Sequence, residues 1–369
     1  MAFDFGKKGH APDSFLFAIT VILILGGLAI LASASSDLGR IKFNDSYYYL
    51  KHQLLYGLSI GVIGFLIGYF LNYQNWKKVA IALLAINLVL LILVFTPLGI
   101  TSGGSSRWLT LGPIRFQPSE LLKLSFILYL SAWLTGRAAR ATNFWNGYFP
   151  FLIICGVTAG LLVFQPATST VVILLAGGGA VYFLSGAKLR YIVATALICV
   201  VSIGSLVILT PYRFKRILGF LDKSQNTQGI NFQANQAQIA IGSGGIFGMG
   251  YGKSTAKVSY LPAAVDDSIF AVVGQELGFV GAGFLVMLFC LLVFRLFYLA
   301  KKTRDKFGKL VLAGFATIIA FQSFVNMGAI SGLLPLTGVP LPFVSYGGTA
   351  FAIFVTMTGI SLNISKYTG

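Results

Sequence analysis

Apolar runs of about twenty residues recur along the whole chain, each closed by short polar or charged segments. A helix of that length crosses roughly 30 Å of hydrocarbon. The pattern predicts spans near 14–33, 53–71, 79–96, 118–135, 148–164, 169–186, 189–209, 268–294, 310–331 and 349–365. The runs are too long and too evenly apolar for the alternating strands of a barrel. The expected fold is an all-α polytopic membrane protein of about ten transmembrane helices, one membrane domain over 1–369. Three connections stand out for length: 97–117, 210–267 and 332–348. The second carries "NFQANQAQIAIGSGGIFGMGYG", which predicts a short helix at the membrane face and then a glycine-rich turn. The third, "SGLLPLTGVPLPFVSYGGTA", has three prolines and no charge. It is expected to fold back into the bundle, where protein can satisfy its backbone.

Composition agrees with this reading. Hydrophobic residues make up 56% and charged residues 10% of the chain, against roughly 25% charged in soluble domains. The Lys and Arg distribution sets an orientation. With a cytoplasmic N-terminus, the inner segments carry fifteen Lys and Arg and the short outer loops five. Both termini are therefore expected in the cytoplasm, with the three long connections outside. The net charge of +17 is then mainly a topology signal, and nucleic-acid binding is a poor account of it. The first apolar run is too long for a typical cleaved leader and is expected to remain as a span. Cys155, Cys199 and Cys290 fall inside spans at no metal-like spacing, as packing residues do. His10 and His52 are the only histidines, which excludes a histidine-based triad or a zinc site.

Charges inside a membrane are costly and point to function. Glu120 and Lys123, three residues apart in "QPSELLKL", share one face near the outer end of the fourth span. They form either a self-neutralising pair or a grip on an anionic headgroup. Glu276 lies deeper, in "GQELG", where it needs a partner or a proton. Arg107, Arg115, Arg213, Lys215 and Arg216 sit on the outer side, against the charge bias. They are either solvated loop charges or a site for a phosphate-bearing substrate, which guanidinium groups bind in bidentate fashion. The stretch "YLPAAVDDSIF" sets Asp266 and Asp267 before the eighth span. One aspartate there suits a helix cap; two, beside apolar walls, suit a general base with a raised pKa.

Taken together, the blocks "LASASS", "YYYLKHQLLYG", "SSRWLTLGPIRFQPSELLKL", "QIAIGSGGIFGMGYGKSTAKVSYLP", "DDSIFAVVGQELG" and "LLPLTGVPLPFVSYGG" resemble the SEDS family of shape, elongation, division and sporulation proteins. The similarity spans essentially all ten runs, and the division branch fits better than the elongation branch. The resemblance implies a peptidoglycan glycosyltransferase that polymerises lipid II into glycan strands at the outer face of the cytoplasmic membrane. It implies that Asp267 is the catalytic base, and that Arg107, Glu120, Lys123, Arg213, Arg216, Gln233, Gln236, Lys257 and Ser345 contact substrate. A divalent cation, Mg or Mn, is an implied cofactor; no organic cofactor is. The implied partners are lipid II, the growing glycan strand, a class B penicillin-binding protein and other division or elongation proteins.

Several positions depart from the family pattern. Ala167 stands for an aspartate, Ala263 and Val265 for Glu and His, Asn231 and Ala237 for Gly and Ser, and Lys223 for a proline. These departures leave the base intact and touch secondary contacts. Three rival readings stay open: an elongation-type polymerase, a lipid II flippase and a non-catalytic division scaffold. A flippase needs polar residues in both membrane halves, whereas Glu120, Lys123 and Asp267 cluster near one side. The chain carries no transpeptidase motif of its own, so cross-linking is expected from a separate chain.

Overall fold

The computed structural model describes residues 9–102, 105–111, 114–136, 140–221, 231–254 and 261–368. Each expected span lies on a helix: α1 Ser14–Phe43, α2 Tyr48–Phe70, α3 Tyr73–Leu93, α4 Pro118–Thr135, α5 Phe144–Phe164, α6 Thr168–Leu184, α7 Leu189–Leu209, α10 Ile269–Lys302, α11 Lys306–Ile330 and α12 Gly348–Ser365. Among the described residues, eight of these are long and apolar enough to cross a membrane. The other two are α4, which carries Glu120 and Lys123, and α6, which is 17 residues long. Two shorter helices, α8 Pro211–Leu221 and α9 Phe232–Ser243, lie in the long connection before α10.

Hydropathy alone does not say which apolar helix is central. Every residue of α12 from Ala350 to Ser365 is buried, while α7 buries only Tyr191. The difference comes from small residues opposite α12. Gly57, Gly61, Gly64 and Gly68 on α2 face it so closely that a Cβ on Gly61 would meet Ala352, and one on Gly68 would meet the Ile360 backbone. Such stripes let helices approach within membranes, where van der Waals packing replaces the hydrophobic drive. Asn363 then ties the α2–α3 turn, donating to Tyr69 O at 2.7 Å and accepting from Tyr73 N at 2.9 Å.

Three features differ from the pattern read along the chain. The 97–117 connection contains an antiparallel sheet of β1 Gly99–Ser102, β2 Ser105–Leu111 and β3 Ile114–Phe116, in the order β1-β2-β3. Its strands are too short to leave a periodic signal. Helix α1 runs ten residues past its expected end, because "SDLGRIKF" stays helical until Asn44 stops it in a left-handed conformation (φ 55°).

The third difference is a break in α10 at Gly278 (φ 67°, ψ −165°). The glycine-rich turn after α9 inserts there. Met249 and Gly250 N–H donate to the freed carbonyls of Gln275 and Glu276, and Phe279 and Val280 N–H reach Gly245 and Ile246 O. A bare interruption within a membrane leaves backbone groups unsatisfied; this one exchanges helix bonds for loop bonds. Glu276, expected to need a partner, accepts from Ser33 Oγ on α1 at 2.7 Å.

The first and last described segments lie at the same end of the bundle. His10 N donates to Lys366 O at 3.0 Å, and Asp13 pairs with Arg295 near the far end of α10. Asp267 and the sheet lie at the opposite end, roughly 40 Å away along α10 at the helical rise per residue.

Candidate active site at the loop end

The turn 261–268 delivers the two aspartates to the first residue of α10. Asp266 N and Ser268 N both donate to Ala263 O, and Ala263 takes a left-handed conformation (φ 52°) to close the turn. The helix cap is Ser268, with no capping bond from its side chain. The cap position expected of an aspartate is thus taken by Ser268.

Asp267 is half-buried, and its Oδ1 accepts from Gln233 Nε2 of α9 at 3.1 Å. The same nitrogen reaches Ser268 Oγ at 2.9 Å. Its Oδ2 turns toward Gly338, where an added Cβ would lie 3.6 Å away. Gly338 has φ +67°, a conformation glycine adopts without strain. Burial raises the Asp267 pKa above the usual carboxylate value, while the Gln233 bond and the Arg216 charge pull it back. Asp266 is exposed as a residue, although many protein atoms surround its carboxylate. Removal of surrounding water, then the Asp267 charge, push it up to about 7, with Lys42 opposing.

Arg216, whose charge acts on Asp267, belongs to a cationic group. Arg107 on β2 donates through Nε to Gln165 O at 2.9 Å and through a second nitrogen to Pro166 O. Burial, then Arg216 and also Arg213, hold its guanidinium below its ordinary pKa, so three arginines from β2 and α8 share one neighbourhood. Arg216 also donates to Leu336 O at 3.3 Å and sits over the Tyr212 ring. Arg213 and Arg216 reach this point because three-residue spacing puts both on one face of α8.

The re-entrant connection 332–347 closes the third side. Ser345 Oγ donates to Asp266 O and accepts from Leu341 N, and Tyr346 N donates to Val265 O. Ser345 thus holds the aspartate turn by its main chain. Gln236 lies one turn beyond Gln233 on α9, half-buried. Lys257 lies outside the described residues, as do Lys223, Lys7, Lys8 and Arg137.

Glu120 and Lys123 do not face this space openly. They are 2% and 0% exposed and pair at 2.7 Å in the bundle interior, with Lys123 Nζ also donating to Gln322 Oε1 at 2.6 Å. Two polar residues of α11 were missed in the sequence: Gln322 donates to Pro340 O, and Asn326 donates to both Val339 O and Asp267 O. The only trace in the sequence is two amides four residues apart within an apolar run, which by itself names no partner.

Among the described residues, no three His, Cys, Asp or Glu side chains come together. A divalent ion would rest on the Asp266–Asp267 pair and on oxygens of a phosphate ligand. That donor set fits Mg²⁺, which keeps several waters and binds through one or two carboxylates plus substrate phosphates.

The family model for the cell cycle proteins FtsW, RodA and SpoVE matches residues 13–369. The chain belongs to this family. It is 38% identical over 360 residues to the probable peptidoglycan glycosyltransferase FtsW of Geobacter sp. (strain M18), covering 97% of this chain and 98% of that protein. It is 36% identical to stage V sporulation protein E of Bacillus subtilis (strain 168), covering 98% of each. In structure it matches a chain from a peptidoglycan synthase complex described for its coordination of polymerization and crosslinking. That match has a TM-score of 0.81 and 29% identity, over 97% of this chain and 99% of the other. The rod shape determining protein RodA of Thermus thermophilus gives 0.72 and 28%, over 96% and 97%. The family resemblance carried by the sequence blocks therefore holds, as does the multi-pass membrane architecture of α-helices, to which the small sheet is an addition.

Proposed function

We propose that this member of the FtsW, RodA and SpoVE family is a peptidoglycan glycosyltransferase that polymerises lipid II at the outer face of the cytoplasmic membrane. The observation that carries the reading is Asp267, with one oxygen held by Gln233, the other toward Gly338, and the Arg216 charge acting on it from a group shared with Arg107 and Arg213. A sugar hydroxyl is a weak nucleophile, and a positioned base is worth about 10²–10⁴-fold. In the proposed step, Asp267 Oδ2 takes the proton of the acceptor 4-hydroxyl as that oxygen bonds to the donor's anomeric carbon. The bond from that carbon to the pyrophosphate oxygen breaks, and the leaving undecaprenyl pyrophosphate departs with the electron pair. Attack and departure on opposite faces invert the anomeric centre. Arg107, Arg213 and Arg216 meet the charge on the leaving group, which a preorganised cationic site stabilises without reorganisation. A Mg²⁺ or Mn²⁺ ion bound at the aspartate pair would add charge neutralisation there.

The FtsW relatives support a role in cell division, and the Lys and Arg bias supports cytoplasmic termini with the aspartates outside. The likeness to a chain of a synthase complex supports a class B penicillin-binding protein as the cross-linking partner. The test is polymerisation of lipid II by the purified protein, with and without that partner. Glycan strands longer than the disaccharide support the reading; lipid II left intact under both conditions contradicts it.

A further inference from the structure

Asp267 belongs to the turn 261–268 and faces the connection 332–347, two stretches that no regular element holds. Some of their carbonyls are met by backbone N–H groups of the same stretches, and others need side-chain donors. Asn326 on α11 donates its one amide nitrogen to Asp267 O and to Val339 O, each at 2.8 Å. One turn earlier on the same face, Gln322 Nε2 donates to Pro340 O at 2.8 Å. The other end of that amide accepts from Lys123 Nζ, itself buried and paired with Glu120.

We propose that Lys123, Gln322 and Asn326 are positioning residues that clamp the main chain of Asp267 to the Val339–Pro340 segment. The proposal rests on Asp267 being the base. The chemistry of the chain of contacts is directional. An ammonium only donates, so Lys123 fixes the Gln322 oxygen toward itself and the Gln322 N–H toward Pro340 O. Without the cation, the amide has no reason to prefer that orientation. The two clamped carbonyls directly follow Gly338, the residue beside Asp267 Oδ2. The clamp therefore sets the distance between the basic oxygen and the wall an acceptor hydroxyl must pass. It also gives the buried Lys123 a task that headgroup binding does not, because its ammonium is sealed from solvent.

The test uses the full-length protein with its transpeptidase partner and lipid II as the probe, comparing Asn326→Ala and Gln322→Met with the parent and with Asp267→Asn. A displaced reacting group costs about 10²-fold for roughly 1 Å. The clamp predicts kcat lowered about 10- to 100-fold, KM for lipid II changed less than about twofold, and a double variant no worse than Asn326→Ala alone. If Asn326→Ala does not fold, Gln322→Met, which keeps the volume and removes the amide, carries the test. Parental kcat in the folded variants, or losses appearing in KM, overturn the clamp while an inactive Asp267→Asn leaves the base in place. A fully active Asp267→Asn instead overturns the base itself, and the clamp with it.

Discussion

One peptide bond separates two aspartates with different surroundings. The Gln233 hydrogen bond favours the ionised form of Asp267, and burial disfavours it; burial is the larger effect. A general base must be ionised, so the polymerisation rate should rise with pH through a midpoint above the ordinary carboxylate value of 3.8. Gln233→Ala removes a contact that lowers the pKa, so the acid limb should move to higher pH in a rate–pH profile. A limb that stays in place or moves down would show that Gln233 does not act on the titrating group. The Glu120–Lys123 pair makes a second claim at this scale. Glu120→Gln strands a buried ammonium, which costs about 3–5 kcal/mol. Adding Lys123→Met should restore most of the thermal stability in detergent. It should not restore kcat, because the Gln322 amide has lost its donor.

Among the elements, α10 depends on Gly278. A Cβ there would fall 2.3 Å from Gly248 N, in a positive-φ, extended-ψ conformation that costs other residues about 1–3 kcal/mol even in open space. Gly278→Ala should therefore lower the unfolding temperature. Gly283→Ala, on the same helix with nothing within 4 Å, should raise it or leave it unchanged, since alanine favours a helix by about 1 kcal/mol. Equal effects would contradict the inserted turn. The helices themselves were legible: α4 and α7 begin and end where their apolar runs do. The break was not, because "GQELGF" continues a helical pattern and its partner loop is some thirty residues away. Asp267 became legible through family motifs rather than spacing. Gln322 and Asn326 stayed hidden because their meaning depends on carbonyls of a loop whose path the sequence does not reveal.

At the scale of the whole molecule, the joined first and last described segments and the aspartate turn mark opposite ends of the bundle. The Lys and Arg bias then orients the bundle in a membrane. Single cysteines placed within 97–117 and 210–267 should react with membrane-impermeant reagents on intact cells, and those within 298–308 should not. Labelling of 298–308 from outside would reverse the molecule and put the aspartates in the cytoplasm. The account as a whole turns on Asp267, and its most direct test is lipid II polymerisation by purified Asp267→Asn. That substitution keeps the size and the hydrogen-bonding capacity of the side chain and removes the base. The account predicts a rate about 10²–10⁴-fold lower at unchanged folding and partner binding, with Asp266→Asn much less affected. A parental rate in Asp267→Asn, with the loss appearing in Asp266→Asn instead, would contradict it.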